Sequence, residues 1–158
     1  DEYTENHTWI PTQKNAMSRF FRKESGPHTE VRFEEALENG EMVDWWYKNG
    51  EKMRKYFAVA YISIDKTGQE RRDAFYPDYI VRHTDGSIGI YETKSGMTVT
   101  SIETKLKAEA LQAYISQYGS ETLKLRGGII DAASNSFKIN TSTDYRAEIA
   151  EQWHPIGF

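Results

Sequence analysis

The sequence predicts an α/β fold, with a central mixed sheet of four to five strands flanked by helices. Three features predict it. Short β-branched and aromatic runs alternate with segments of helical period, an Asp85-Gly86 turn marks a strand-turn-strand unit, and a long helical segment separates two strand runs as a βαβ crossover does.

Composition bounds what this fold can be. The 158 residues favour one domain with a core of ordinary size. A hydrophobic fraction of 38% beside 28% charged residues fits a globular protein in water, no apolar run could span a bilayer, and residues 1–5 do not resemble a secretory signal. The absence of cysteine excludes a disulfide scaffold, a thiolate metal site and a Cys nucleophile, and fits a cytoplasmic location. The chain opens on Asp1, as a cleaved product or a domain of a larger protein would. A net charge of −4 argues against gripping nucleic acid by bulk electrostatics alone. Basic clusters at residues 19–23, 48–55 and Arg71-Arg72 each read, taken singly, as a solvated face.

In chain order, residues 1–27 show no sustained period and are punctuated by Pro11, Gly26 and Pro27. They are expected to be an extension or linker, with a short helix over residues 15–23, leading into one domain over residues 28–158. The first firm helix is predicted over residues 29–39, with an apolar stripe of Phe33, Ala36 and Leu37 and a left-handed cap at Gly40. Glu30 lies in line with that stripe, so it either favours the helix dipole or faces a site from a helix packed on the sheet. Glu34, one turn later, could take its place.

Residues 42–50 carry Trp45 and Trp46, which point opposite ways on a strand, so at least one belongs in the core. Residues 56–64 read as a central strand, apolar on both sides in its first half. Lys66-Thr67-Gly68 turns the chain into a hairpin over residues 75–96. A long helix over residues 101–118 follows from the spacing of Ile102, Leu106, Ala110, Ala113 and Tyr114, and Gly119 ends it. Lys105 and Lys107 on its first turns are expected to face the Lys94 end of the hairpin, Lys105 as a phosphate contact and Lys107 as an ordinary exposed flank.

Residues 123–131 read as a strand parallel to the one carrying Glu92, with Gly127 and Gly128 marking a bulge or close backbone approach. Residues 137–139 add an edge strand, and Asp144 caps a last helix to Gln152, packed through Tyr145, Ile149 and Trp153.

The chemistry concentrates in the hairpin. Ile88, Ile90, Glu92 and Lys94 share one strand face, so a strand that begins in a core ends by presenting a carboxylate and an amine. Leaving a carboxylate buried without a partner is costly. Three accounts compete: a strand leaving the core with its polar end wet, an exposed ion pair worth little, or a metal site. In the last, Asp78 and Glu92 supply oxygen ligands and Lys94 touches the water that attacks a phosphate.

Pro77-Asp78 at the start of one strand, Glu92-Thr93-Lys94 at the end of the next and a preceding acidic helix resemble the PD-(D/E)XK nuclease superfamily. Tyr76-Pro77-Asp78-Tyr79, the aromatic segment 43–47 and Glu30 ahead of Phe33 and Leu37 are similar to the C-terminal endonuclease domain of type III restriction enzyme Res subunits. The resemblance spans residues 29–131. Ser95 stands before Gly96, where the type III pattern often has Gly directly after the Lys, and the tail from Ser134 lies outside the resemblance.

The resemblance implies a restriction-endonuclease-like αβββαβ core and a metal-dependent endonuclease hydrolysing DNA. Asp78 and Glu92 would bind Mg²⁺ with the Thr93 backbone carbonyl, Glu30 would complete the acidic cluster, and Lys94 would orient or help deprotonate the attacking water. Hard oxygen ligands suit Mg²⁺, or Mn²⁺ in its place, better than Zn²⁺. Lys105, Arg71 and Arg72 are candidate DNA contacts. The implied partners are DNA, an attached helicase or translocase domain and a sequence-recognition or methyltransferase subunit, with a transient dimer for two cuts in a duplex and no membrane.

Other schemes lack their parts. No Gly-X-Ser-X-Gly elbow, P-loop or His-Glu-X-X-His occurs, and His7, His28, His83 and His154 are scattered, as surface or capping histidines are. Glu30 and Glu92 could be drawn as a glycosidase pair, but nothing predicts a sugar cleft between them. The rival from another class is a nuclease fold that binds nucleic acid or a protein partner without cleaving.

Overall fold

The structure is a computed structural model that describes residues 9–17, 21–23, 28–50, 55–133 and 136–158. Its elements in chain order are β1 (Trp9–Pro11), β2 (Phe21–Lys23), α1 (His28–Asn39), β3 (Val43–Lys48), β4 (Val59–Ile64) and β5 (Glu70–Phe75). Then come β6 (Tyr79–His83), β7 (Ile88–Lys94), α2 (Ile102–Tyr118), β8 (Leu125–Asp131), β9 (Lys138–Asn140) and β10 (Trp153–Pro155). The architecture is α/β. Six strands form one mixed sheet in the order β10-β9-β8-β7-β6-β3, in which only the β7–β8 pair is parallel.

The expected hairpin is present as β6 and β7. Gly86, at φ 85°, lets the chain reverse, and Asp85 Oδ1 accepts hydrogen bonds from the Ser87 N–H and hydroxyl at 2.9 and 2.6 Å. Alternation along these strands sorts side chains to two faces. Tyr79, Val81, Tyr91 and Ile130 pack with Phe33 and Leu37 of α1, whereas Ile80 and Ile90 pack with Leu111 of α2 and Ile129 packs with Ala108. The helices therefore cover opposite faces of the sheet.

A register shift between Val43 and Trp45 lets Val43 and Trp46, three residues apart, both enter the α1-side core. Trp46 is the buried tryptophan, its indole N–H donating to Glu38 Oε2 at 2.8 Å. Lys48, two residues on, shares its face.

The strand expected to be central is not. β4 pairs with β5 in a separate two-stranded sheet, and only Val59 and Tyr61 turn inward while Ala60, Ile62 and Ile64 face out. Its partner β5 has no apolar alternation, because residues 70–74 are exposed and only Phe75 reaches the core. The hairpin stands as a wing on α2, which it meets through Val59, Tyr61 and Phe75.

Several local expectations are also corrected. Asn15 bridges Trp46 and residues 21–23 form β2 against β1, so these parts of the expected helix over residues 15–23 are extended; residues 18–20 lie outside the described residues. Gly40 is not left-handed: a Cβ there would lie 2.5 Å from the Phe158 backbone, so its glycine serves close approach. Gly119 caps α2 in an extended conformation, with φ −68°. The buried stripe of α2 is Thr104, Ala108 and Leu111, leaving Ile102 and Ala113 exposed.

The last helix does not form beyond a single 3-10 turn at Ala150–Gln152. Tertiary contacts draw its residues elsewhere: Asp144 pairs with Lys105 and Arg146, and the Tyr145 hydroxyl donates to the Val99 carbonyl at 2.9 Å. The chain then pairs as β10 with β9, so β9 is not an edge. Gly127 and Gly128 mark close approach rather than a bulge, since the β7–β8 register runs unbroken from Leu125 to Asp131. A Cβ at Gly127 would lie 1.9 Å from the Ile90 oxygen, and one at Gly128 2.2 Å from the Asn140 oxygen.

Candidate functional site

The site grows from a mismatch in strand length. β7 pairs with β6 only as far as Tyr91, opposite Tyr79, but with β8 as far as Lys94. Pro77 is part of the reason, since it offers no N–H to a ladder and fixes its own φ. Beyond Tyr91, side chains replace the missing ladder. The Asp78 N–H donates to Glu92 Oε2 at 3.2 Å, and the Thr93 N–H and hydroxyl both donate to Asp78 Oδ2 at 2.8 Å.

This exchange fixes both carboxylates. Lys94 Nζ donates to Glu92 Oε1 at 2.5 Å, while no donor among the described residues bonds Asp78 Oδ1. Lys94 carries its carbonyl toward β8, where it accepts from the Ala132 N–H at 3.1 Å. By strand alternation the Thr93 carbonyl turns the other way, to the side on which Asp78 stands.

The electrostatics are those of two acids sharing a dry corner. Burial pushes Asp78 up, against the Thr93 hydrogen bonds and Lys94, with Glu30 adding repulsion. Burial and the neighbouring Asp78 push Glu92 up to about 7, against the pull of Lys94 and then Lys107. Both groups are raised first by burial, and a hard cation beside them would favour the ionised forms.

The expected residues divide into those the fold gathers and those it does not. Asp78, Glu92, Thr93 and Lys94 are together. Glu30 stands on α1, its Oε2 3.0 Å from Lys48 Nζ, and reaches Asp78 only through its field. Glu34 is more deeply engaged: its Oε1 lies 2.6 Å from Lys48 Nζ and accepts from the Tyr79 hydroxyl at 3.0 Å. Together they bring two α1 carboxylates to Lys48, whose ammonium also lies 5.8 Å from the Tyr79 ring centre. Among the described residues no three acidic or imidazole side chains converge as a metal cluster. Asp78, Glu92 and Thr93 are tied together by the hydrogen bonds above, and carboxylate and carbonyl oxygens are the donor type that a hard divalent ion takes.

The basic residues also redistribute. Lys105 is held by Glu109 at 2.7 Å and Asp144 at 3.0 Å, beside Tyr145. Arg71 and Arg72 lie exposed on the β4–β5 wing. Lys107, expected as an idle flank, is the α2 lysine whose charge reaches Glu92. It pairs with Glu103 and lies 5.9 and 5.7 Å from the ring centres of Tyr61 and Phe75.

Sequence reasoning missed Lys48 and undervalued Lys107. A lone lysine ending an aromatic strand carries no motif, and only the register Lys48↔Tyr79 brings it to α1. The signal for Lys107 was its spacing of two from Lys105, which places the two on different sides of a helix. His83 is no surface histidine: it is 2% exposed, bonded through Nε2 to the Tyr91 hydroxyl at 2.9 Å, at the far end of β6 from Asp78.

No family model, curated protein or solved structure matches the chain. Among the described residues no helix is long and apolar enough to cross a membrane.

Proposed function

We propose that this chain is a metal-dependent endonuclease hydrolysing DNA phosphodiester bonds, on a restriction-endonuclease-like αβββαβ core. The observation that carries the proposal is the meeting of Asp78 and Glu92 at adjoining strand ends, with Lys94 on the face of Glu92 and the Asp78 carboxylate oriented by Thr93. Within the proposal, β3, β6 and β7 are the three antiparallel strands of the core and the β4–β5 wing is inserted between the first two.

Asp78, Glu92 and the Thr93 carbonyl would hold Mg²⁺, with Mn²⁺ able to replace it. Bound there, the ion supplies Lewis acidity toward a phosphate oxygen and lowers the pKa of a ligated water. Lys94, on the face of Glu92, would orient the attacking water and offset charge on the phosphate. Lys107 adds a second positive charge from α2. Glu30 and Glu34 act one step back, holding Lys48 beside the site. DNA is the proposed partner, with an attached helicase or translocase and a sequence-recognition or methyltransferase subunit, and a transient dimer for double-strand cuts.

The test is incubation of supercoiled plasmid with the protein and Mg²⁺ or Mn²⁺, beside an EDTA control and the Glu92→Ala and Lys94→Ala variants. The expected result is nicked and linear product that EDTA abolishes and each variant lowers by about 100-fold or more. Equal cleavage by the wild type and both variants would overturn the assignment.

A further inference from the structure

The end of β3 does more than close the sheet. Asn49 is fully buried, and every polar group of its side chain is used: Nδ2 donates to the Pro77 and Phe57 carbonyls, each at 2.8 Å, and Oδ1 accepts from the Phe57 N–H at 2.9 Å. Its backbone N–H donates to the Asp78 carbonyl at 2.7 Å, joined by the Gly50 N–H at 3.4 Å. The carbonyls of both Pro77 and Asp78 are thus pinned from one place. Thr93 pins Asp78 Oδ2 from the other side. Among the described residues no donor engages Asp78 Oδ1, which faces Gly50.

Gly50 is not required by its own backbone. It is not among the glycines with positive φ, so an alanine is conformationally acceptable there. The constraint is space: a Cβ on Gly50 would lie 3.0 Å from Asp78 Oδ1 and 3.4 Å from Asp78 Cα. Such a methyl group would crowd the Asp78 carboxylate oxygen that no donor among the described residues engages.

We infer that Asn49 and Gly50 are positioning residues for Asp78: Asn49 sets the backbone that aims its carboxylate, and Gly50 keeps Oδ1 clear for a divalent cation. This inference rests on the metal-site reading proposed above. Neither residue touches the reacting atoms; both act through Asp78. Their effect therefore belongs to metal binding first and to cleavage only through it.

The experiment is a Mn²⁺ titration of the 158-residue chain, with free ion counted by electron paramagnetic resonance. It compares the wild type, Gly50→Ala, Asp78→Asn and the double variant, with thermal melting in EDTA alongside. The wild type should bind a single Mn²⁺, Asp78→Asn should weaken that binding by about 100-fold while leaving it measurable, and Gly50→Ala should weaken it by about 10- to 100-fold. Melting of Gly50→Ala in EDTA should stay within about 2 °C of wild type. In the Asp78→Asn background, Gly50→Ala should have no further effect. Wild-type affinity in Gly50→Ala, a further loss in the double variant, or a large fall in melting temperature would overturn the inference while leaving the metal site standing. No Mn²⁺ binding by the wild type, or binding untouched by Asp78→Asn, would overturn the metal-site reading and this inference with it.

Discussion

Glu30 and Glu34 stand one turn apart on α1 and pair with the same ammonium, yet they are not equivalent. Glu34 has a side chain 5% exposed, against 40% for Glu30, and it alone accepts from the Tyr79 hydroxyl. Removing Glu34 takes the more buried of two carboxylates from Lys48 and the acceptor from the Tyr79 hydroxyl, whereas an exposed pair contributes little. Glu34→Ala should therefore cost about 3 kcal/mol and Glu30→Ala under about 1 kcal/mol in urea unfolding. Equal costs would show that burial does not separate the two. The sequence left this choice open, because helical spacing sets both residues near the apolar stripe and only the register of β3 decides where the lysine lands. His83 is a second residue whose setting decides its behaviour. Burial first, then the Arg126 charge, lower it from the usual range to about 4. Its neutral form is the one the fold prefers, so its contribution is complete above pH 6.5, the unfolded value, and is lost as pH falls through about 4. Between those limits wild-type melting should fall more steeply than that of His83→Gln, and parallel slopes would exclude His83 as the cause.

At the scale of elements, β8 is set by what it must pass. Gly127 sits at φ 145°, and a Cβ there would lie 1.9 Å from the Ile90 carbonyl oxygen across the parallel pair. Backbone strain and overlap then act together, so Gly127→Ala should cost about 3 kcal/mol or more in chemical denaturation. Gly68, at φ 83° with nothing within 4 Å of a built Cβ, isolates the backbone component, and Gly68→Ala should cost about 1–2 kcal/mol. A similar cost at both would mean that β8 moves aside without loss. That Gly127 and Gly128 mark either a bulge or a close approach was legible, since two adjacent glycines otherwise weaken an apolar strand, and the structure decides for close approach. So were the Asp85-Gly86 hairpin and α2, whose turn and period are local. β5 and β10 were not. The charged run 70–73 has no alternation to read, and β10 is a strand only because β9 lies beside it.

For the whole molecule, the sheet divides the interior into cores that meet α1 and α2 separately, and this division explains both what was legible in the candidate site and what was not. Asp78, Glu92 and Lys94 could be placed together because one hairpin joins them, so local pairing was enough. The α1 carboxylates could not, because Glu34 follows Tyr79 onto the α1 face while Glu92 follows Ile90 onto the α2 face. Chain order says which elements are present but not which side of the sheet each covers. If the sheet is a real partition, losses of packing on its two faces should not communicate. Ile130 belongs to the α1-side core and Ile90 to the α2-side core, without shared buried neighbours. Ile130→Val and Ile90→Val should each cost about 0.5–1.5 kcal/mol. Their double variant should equal the sum within about 0.5 kcal/mol in a urea double-mutant cycle. A coupling above about 1 kcal/mol would mean that packing strain crosses the sheet. In that case Lys48 and Lys107, which approach the site from opposite faces, would have to be treated as one linked system.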